Sequence, residues 1–197
     1  MPVPILCAES GYTVSENERN YIDNIEYNFI EYNKNYMSKD YYILNKELLS
    51  PLKQVILKVI NSYREEICGI KQNLVITQSW ITKTEIGGSH TIHNHPNSIF
   101  SGVYYIECSD SSPVNFYHGN ELLRDFKFDL DYTKETVYNK SITRVLPKTG
   151  DIVMFPSWVE HDVGTNLGPK KRIVLAFNTF LSGEFGAVNL YPTGLSL

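Results

Sequence analysis

The pattern of apolar and polar positions divides the chain into two parts. Between residues 15 and 66 apolar positions recur at helical spacing, and Leu48, Leu52, Val55, Ile56, Val59 and Ile60 form one broad stripe. Ser50-Pro51 reads as an N-cap followed by the first helical position, where a missing N–H costs no intrahelical bond. The spacing predicts helical support over 15–66, its stripe packed against the outside of a sheet. From residue 73 the pattern shortens to β-rich runs at 74–77, 102–106, 114–117, 152–155 and 172–180. β-Branched and aromatic side chains suit a pleated, half-buried surface, and turn clusters such as Ser109-Asp110-Ser111-Ser112-Pro113 separate the runs. Many short strands in little more than a hundred residues predict an antiparallel sandwich or jelly roll, closed or covered so that edges are not left open. The charged and aromatic stretch 121–148 is expected to form a long loop or hairpin at the mouth of any site.

Composition narrows this picture. At 197 residues and 42% hydrophobic content, one domain (1–197) with a substantial core is expected, 15–66 as helical support and 73–182 as the β core. A net charge of -4 and a pI near 5.7 supply no basic stripe, so duplex nucleic acid is not an expected partner. Three cysteines, Cys7, Cys68 and Cys108, are odd in number and lack metal spacing, which points to reduced thiols. No apolar stretch approaches the ~20 residues of a membrane span, and the first residues do not form a signal h-region. A soluble, cytoplasmic protein without a membrane partner is therefore expected, and a homodimer is left open.

Four of the five histidines fall into two clusters, His90, His93 and His95 in one and His161 in the other. His93 and His95 are two apart, so in extended structure they project to one face, and neutral imidazole suits iron, zinc and copper. A histidine from a distant strand, His161, would complete a facial set. Eleven residues further on, Arg172 opens the apolar run 173–177, and an arginine entering a buried strand needs an anion. Catalytic zinc also uses three histidines, but no general base accompanies this set, and iron with an organic acid fits Arg172 better. Asn178 shares strand parity with Arg172 and is a candidate pocket residue; Trp80, Ser101 and Trp158 are expected in its wall. Asp151 and Glu160 read as a turn residue and an outward-facing residue. His118 reads as a surface residue.

Gly87-Gly88 with His93-x-His95, the strand Ser101-Gly102-Val103-Tyr104-Tyr105-Ile106, and Gly150 through Pro156-Ser157-Trp158-Val159-Glu160-His161 to Arg172 and Asn178 carry a resemblance. Together they resemble the prolyl-hydroxylase-like 2-oxoglutarate/Fe(II) dioxygenases, and most of all the 2OG-Fe(II) oxygenases found in phages and bacteria. Members of that group share a His-x-His-Pro segment, a Ser-Gly-x-x-Tyr strand and a Pro-Ser-Trp-x-x-His segment. The resemblance implies a mostly β fold with N-terminal helices, a double-stranded β-helix of the cupin-like jelly-roll type. It implies Fe(II) at His93, His95 and His161, and 2-oxoglutarate as co-substrate, its distal carboxylate on Arg172 and Tyr105. Dioxygen would be the second co-substrate, and hydroxylation of a protein side chain or small metabolite the outcome, with succinate and carbon dioxide released. A phage origin would put the protein in the host cytoplasm.

One residue departs from the pattern. The usual facial triad is two histidines and a carboxylate, whereas position 95 is histidine. Three assignments compete: three imidazoles, His93 and His161 alone, or a register using His90 and His93. Strand parity and the resemblance both favour His93, His95 and His161, with His90 behind them or on the substrate. Two other functions stay in view: a cupin-like three-histidine dioxygenase without 2-oxoglutarate, and a non-catalytic metal-binding β-domain.

Overall fold

The computed structural model describes residues 3–108, 113–117, 131, 133–136, 139–185 and 195–196. His118 and most of the stretch from 118 to 138 lie outside the described residues, so the expected mouth loop and the placement of His118 do too. Strands are numbered in chain order. A seven-stranded antiparallel sheet runs in the order β1 (Leu6–Glu9), β9 (Asp151–Pro156), β6 (Phe100–Glu107), β11 (Arg172–Ser182), β4 (Asn73–Thr84), β3 (Asn35–Ser38), β2 (Tyr27–Ile30). A four-stranded antiparallel sheet runs β5 (His90–His93), β10 (Glu160–Val163), β7 (Val114–Tyr117), β8 (Ile142–Val145). A short ribbon pairs β12 (Glu184–Phe185) with β13 (Leu195–Ser196). The two larger sheets form the jelly roll. Within the stretch expected as loop or hairpin, 142–145 form strand β8.

The helical part differs from expectation in two respects. Helix α1 (Glu16–Asn24) starts at a capping box: the Glu18 N–H donates to Ser15 Oγ, and the Glu18 carboxylate accepts from the Ser15 N–H at 2.7 Å. Helix α2 (Ser50–Ser62) has Leu49, not Ser50, in the cap position, with Pro51 in the first turn, and it runs on into a π-helical turn over Tyr63–Ile67. Between them, β2 and β3 form a hairpin that extends the large sheet, where helix was expected. Four-residue strands carry too few positions for a period-2 signal to stand against the flanking helical pattern. No described helix is long and apolar enough to cross a membrane.

The large sheet is covered on both faces. Leu52, Ile56 and Ile60 of α2 are fully buried against Tyr104, Ile106, Ile152, Met154, Leu175 and Phe177. Alternate residues of the same strands, Tyr105, Val153 and Phe155, turn the other way and meet Val114 and Phe116 of the small sheet. A strand buried on both faces reads as a continuous apolar run, which explains the unbroken texture of 152–155 and 173–177. Leu48, expected in the stripe, is instead exposed.

Gly102 marks the tightest approach in this core. It stands directly across from Phe177, and a Cβ there would lie 2.2 Å from Phe177 Cζ. Gly102→Ala is expected to destabilise the protein by about 1–3 kcal/mol through overpacking. The check is a fall in the urea midpoint at unchanged slope.

Candidate metal centre and anion pocket

Pairing of the small sheet brings the distant histidines together. In the antiparallel register of β5 and β10, His161 lies directly opposite His93, and their rings approach to 4.2 Å between centroids. His95 stands two residues past the end of β5, its N–H donating to the Ser157 carbonyl at 2.9 Å. Its ring lies 5.3 Å from that of His93 and 5.2 Å from that of His161. One ring nitrogen from each of the three falls within 4.8 Å of the other two, a grouping that could hold one ion. His90 stacks on His93 at 4.4 Å but is not part of this group.

Hydrogen bonds decide which nitrogens are available. His93 Nδ1 donates to the Thr91 carbonyl at 2.8 Å, His161 Nδ1 to the Val159 carbonyl at 3.1 Å, and His95 Nδ1 to Asn178 Oδ1 at 2.7 Å. Each partner is an acceptor, so each proton sits on Nδ1 and each Nε2 keeps its lone pair. Burial, reinforced by the neighbouring His93, pushes His161 down to about 3. Burial likewise lowers His90 and His95 to about 4, and it lowers His93. Near neutral pH these four rings are therefore uncharged, the form that binds metal.

The same cavity holds Arg172. Its side chain enters at the start of β11 beside its cross-strand partner Thr84, whose Oγ1 accepts from Nη2 at 3.1 Å. Nη1 is buried and has no partner. No described residue lining the cavity is acidic, and burial lowers the arginine pKa. Tyr105 lines the cavity, and burial raises its pKa, so its hydroxyl stays protonated. Apart from its polar residues the wall is apolar, with Val103, Val153, Phe155, Val174 and Ala176 among its members. The free space of about 60 Å³ corresponds to roughly four waters or one short organic acid. A wider groove of about 590 Å³ meets the cavity at Trp80, His90, His93 and His95 and is walled by Met37, Tyr42, Gln78, Asn94, Pro96 and Asn97.

Several expected roles change. Asn178 keeps its parity with Arg172 and lies against His95, lining the wider groove and not the inner cavity. Trp158 is 64% exposed and lines neither the cavity nor the groove that meets it, whereas Trp80 lines both. Asp151 accepts from the Lys148 N–H in a turn, and Glu160 is exposed, so neither joins the histidines. Asp162, whose charge reaches His93, is held by Asn115 Nδ2 at 2.7 Å and the Tyr117 hydroxyl at 2.6 Å. Residues not anticipated are Thr84, Ser98 and Ser157. Thr84 could have been found only from the strand register, since nothing local marks it.

A family model described as 2OG-Fe(II) oxygenase matches residues 78–178, just over half of the chain. The chain belongs to this family. As a 2OG-Fe(II) oxygenase it uses iron and 2-oxoglutarate, and three neutral imidazoles beside an unpartnered buried guanidinium suit that pair. No curated relative matches the chain significantly. Among solved structures it is similar to the non-heme alpha ketoglutarate dependent epimerase SnoN from nogalamycin biosynthesis, at 11% identity and a TM-score of 0.65 over 96% of this chain and 83% of SnoN. It is also similar to HygX from Streptomyces hygroscopicus, solved with nickel, 2-oxoglutarate and hygromycin B, at 10% identity and a TM-score of 0.62 over 90% and 83%. A Burkholderia pseudomallei oxidoreductase of the 2OG-Fe(II) oxygenase family matches at 12% identity, TM-score 0.56, over 89% and 83%. At these identities the likeness is one of fold.

The depressed histidines give a pH signature with a definite sign. Between the ordinary value of 6.5 and about 4, the unfolded chain binds protons that folded His90 and His95 refuse. The stability they contribute is present above 6.5 and is lost as pH falls through that window. The metal-free protein is expected to show a urea midpoint that drops from pH 6.5 to 4. The drop should be shallower in His95→Gln.

Proposed function

We propose that the chain holds Fe(II) with His93, His95 and His161, binds 2-oxoglutarate against Arg172 and Tyr105, and hydroxylates a carbon of a protein side chain or small metabolite. The observation that carries this reading is Arg172 Nη1, a buried cationic donor without a partner in the cavity that the three histidines line. An unpaired charge in an apolar wall is strongly unfavourable, and a carboxylate supplies both the counter-charge and the missing acceptor. Thr84 holds one guanidinium nitrogen and so aims the other. The protonated Tyr105 hydroxyl is a second donor on the same wall, and both residues are buried in a lining that includes valines and Phe155.

Iron(II) with 2-oxoglutarate and dioxygen supplies the oxidising equivalent that inserts one oxygen atom into a substrate C–H bond, releasing succinate and carbon dioxide. The imidazoles contribute three neutral donors, so the ligand set carries one negative charge fewer than two histidines and a carboxylate. The doubly charged co-substrate therefore provides the anionic charge of the site, and Arg172 shares it. Substrate reaches the centre through the groove beside Trp80. Its described walls are neutral amides, aromatic rings, methionine, proline, one threonine and the histidines, with no charged acid, lysine or arginine among them, which suits an uncharged polar group.

The histidine at position 95 favours one second reading, a three-histidine dioxygenase that oxidises a chelating substrate whose carboxylate rests on Arg172. Anaerobic titration with Fe(II) and then 2-oxoglutarate separates the two. A visible charge-transfer band should develop with 2-oxoglutarate in the wild type. Arg172→Ala should raise the Kd for 2-oxoglutarate by roughly 10- to 100-fold, as expected for loss of a charge-assisted hydrogen bond, and Arg172→Lys should fall between. Iron binding without a band or 2-oxoglutarate turnover would favour the second reading or a non-catalytic metal domain. His161→Ala should lose iron; full retention would refute the ligand set.

A further inference from the structure

We propose that Asn178 and Ser101, anchored by Ser157 and Ser98, form a buried relay that orients the ring of His95, making them positioning residues for the metal centre. The inference rests on the reading of His95 as a ligand. The three histidines are not held alike. His93 and His161 each donate Nδ1–H to a main-chain carbonyl two residues upstream, so their own backbone sets the ring. His95 lies beyond the end of β5, and its Nδ1–H goes to a side chain, Asn178 Oδ1. Its orientation is therefore only as well defined as that of the amide.

The amide is in turn fixed from several directions. The Ser101 hydroxyl donates to Asn178 Oδ1 at 2.8 Å, and Asn178 Nδ2 donates to Gln78 Oε1 at 3.1 Å. Ser157 Oγ lies 2.7 Å from both Ser101 Oγ and Ser98 Oγ, and its single proton serves one of the two at a time. The chain ends on main chain, with Ser98 Oγ donating to the Thr179 carbonyl at 3.1 Å. Ser101 and Ser157 are fully hidden from solvent, and Asn178 and His95 nearly so. If the corner needed only filling, alanine would serve without buried hydroxyls that each demand a partner.

Two backbone features converge on the same point. The pairing of β11 with β4 shifts register beside Asn178, where β4 carries Thr77 as an extra residue whose Oγ1 donates to the Asn178 carbonyl at 3.3 Å, so the main chain of Asn178 is held as well as its side chain. Ser157 also holds His95 through the main chain, its carbonyl accepting the His95 N–H, while its own N–H donates to the Ile99 carbonyl at 3.0 Å. One turn thus fixes both the backbone and, through Ser101 and Asn178, the ring of His95. The serines of the Ser-Gly-x-x-Tyr and Pro-Ser-Trp-x-x-His segments thus both act on His95, Ser101 through Asn178 Oδ1 and Ser157 through its carbonyl.

The test is anaerobic Co(II) titration of the metal-free full chain, read by visible cobalt absorption, in the wild type and in Asn178→Ala, Asn178→Asp, Ser101→Ala and His95→Ala. Orienting partners of metal-bound histidines typically change metal affinity by about 10- to 100-fold. That loss is expected for Asn178→Ala, with an altered cobalt spectrum, and a loss of several-fold for Ser101→Ala. Asn178→Asp keeps an acceptor oxygen facing Nδ1–H and should restore the wild-type spectrum and an affinity within a few-fold. Wild-type affinity and spectrum in Asn178→Ala and Ser101→Ala, with His95→Ala impaired, would overturn the relay and leave the ligand set standing. Equal losses in Asn178→Asp and Asn178→Ala would also overturn it, because packing alone would then explain them. Unchanged binding in His95→Ala would remove the ligand reading itself. If Asn178→Ala does not fold, Ser101→Ala and Asn178→Asp carry the same decision.

Discussion

The register of β5 against β10 is the constraint on which the site depends. Because strand side chains alternate between faces, a one-residue slip would turn either His93 or His161 out of the cavity. That register is held from the far side as well, since β10 also pairs with β7 through His161 and Phe116, and Phe116 packs on Phe155 of the opposite sheet. Packing between the sheets therefore secures the parity of the histidines. The chemistry of the site is built on a hydrophobic contact.

Electrostatics inside the cavity follows from the same closure. Desolvation keeps the imidazoles neutral and makes them good donors, and it leaves Arg172 as the cation among the cavity's described lining residues. With no acidic residue in that lining, the guanidinium is satisfied on one nitrogen by Thr84 and open on the other. Neutral ligands and an unpaired cation form a site short of negative charge. In the proposed function an anionic co-substrate would meet that deficit at both ends, which would tie the histidine at position 95 to the presence of Arg172.

Much of the β core was legible in the sequence because its strands are long or continuously apolar. The runs at 102–106, 152–155 and 172–180 were placed within a few residues, since burial on both faces leaves an unmistakable texture. The hairpin β2–β3 was not legible, because YNFI and NYMS are short and sit among helix-favouring neighbours. The cap of α2 was misplaced by one residue because Ser50 has the right side chain but takes helical geometry. Parity places Asn178 on a face, yet only the register of β11 against β4 and β6 decides what that face touches.

By itself the sequence determined residue chemistry and local periodicity: imidazoles two apart, an arginine leading an apolar strand, a helix with one apolar stripe. These are properties of neighbours along the chain, so the chain records them. Only the tertiary structure decided that His161 lies opposite His93, that Thr84 steadies Arg172, and that Ser98, Ser101, Ser157 and Asn178 converge on His95. Each of those pairings joins residues far apart in sequence through strand register and sheet closure, and no local pattern encodes a distance between strands.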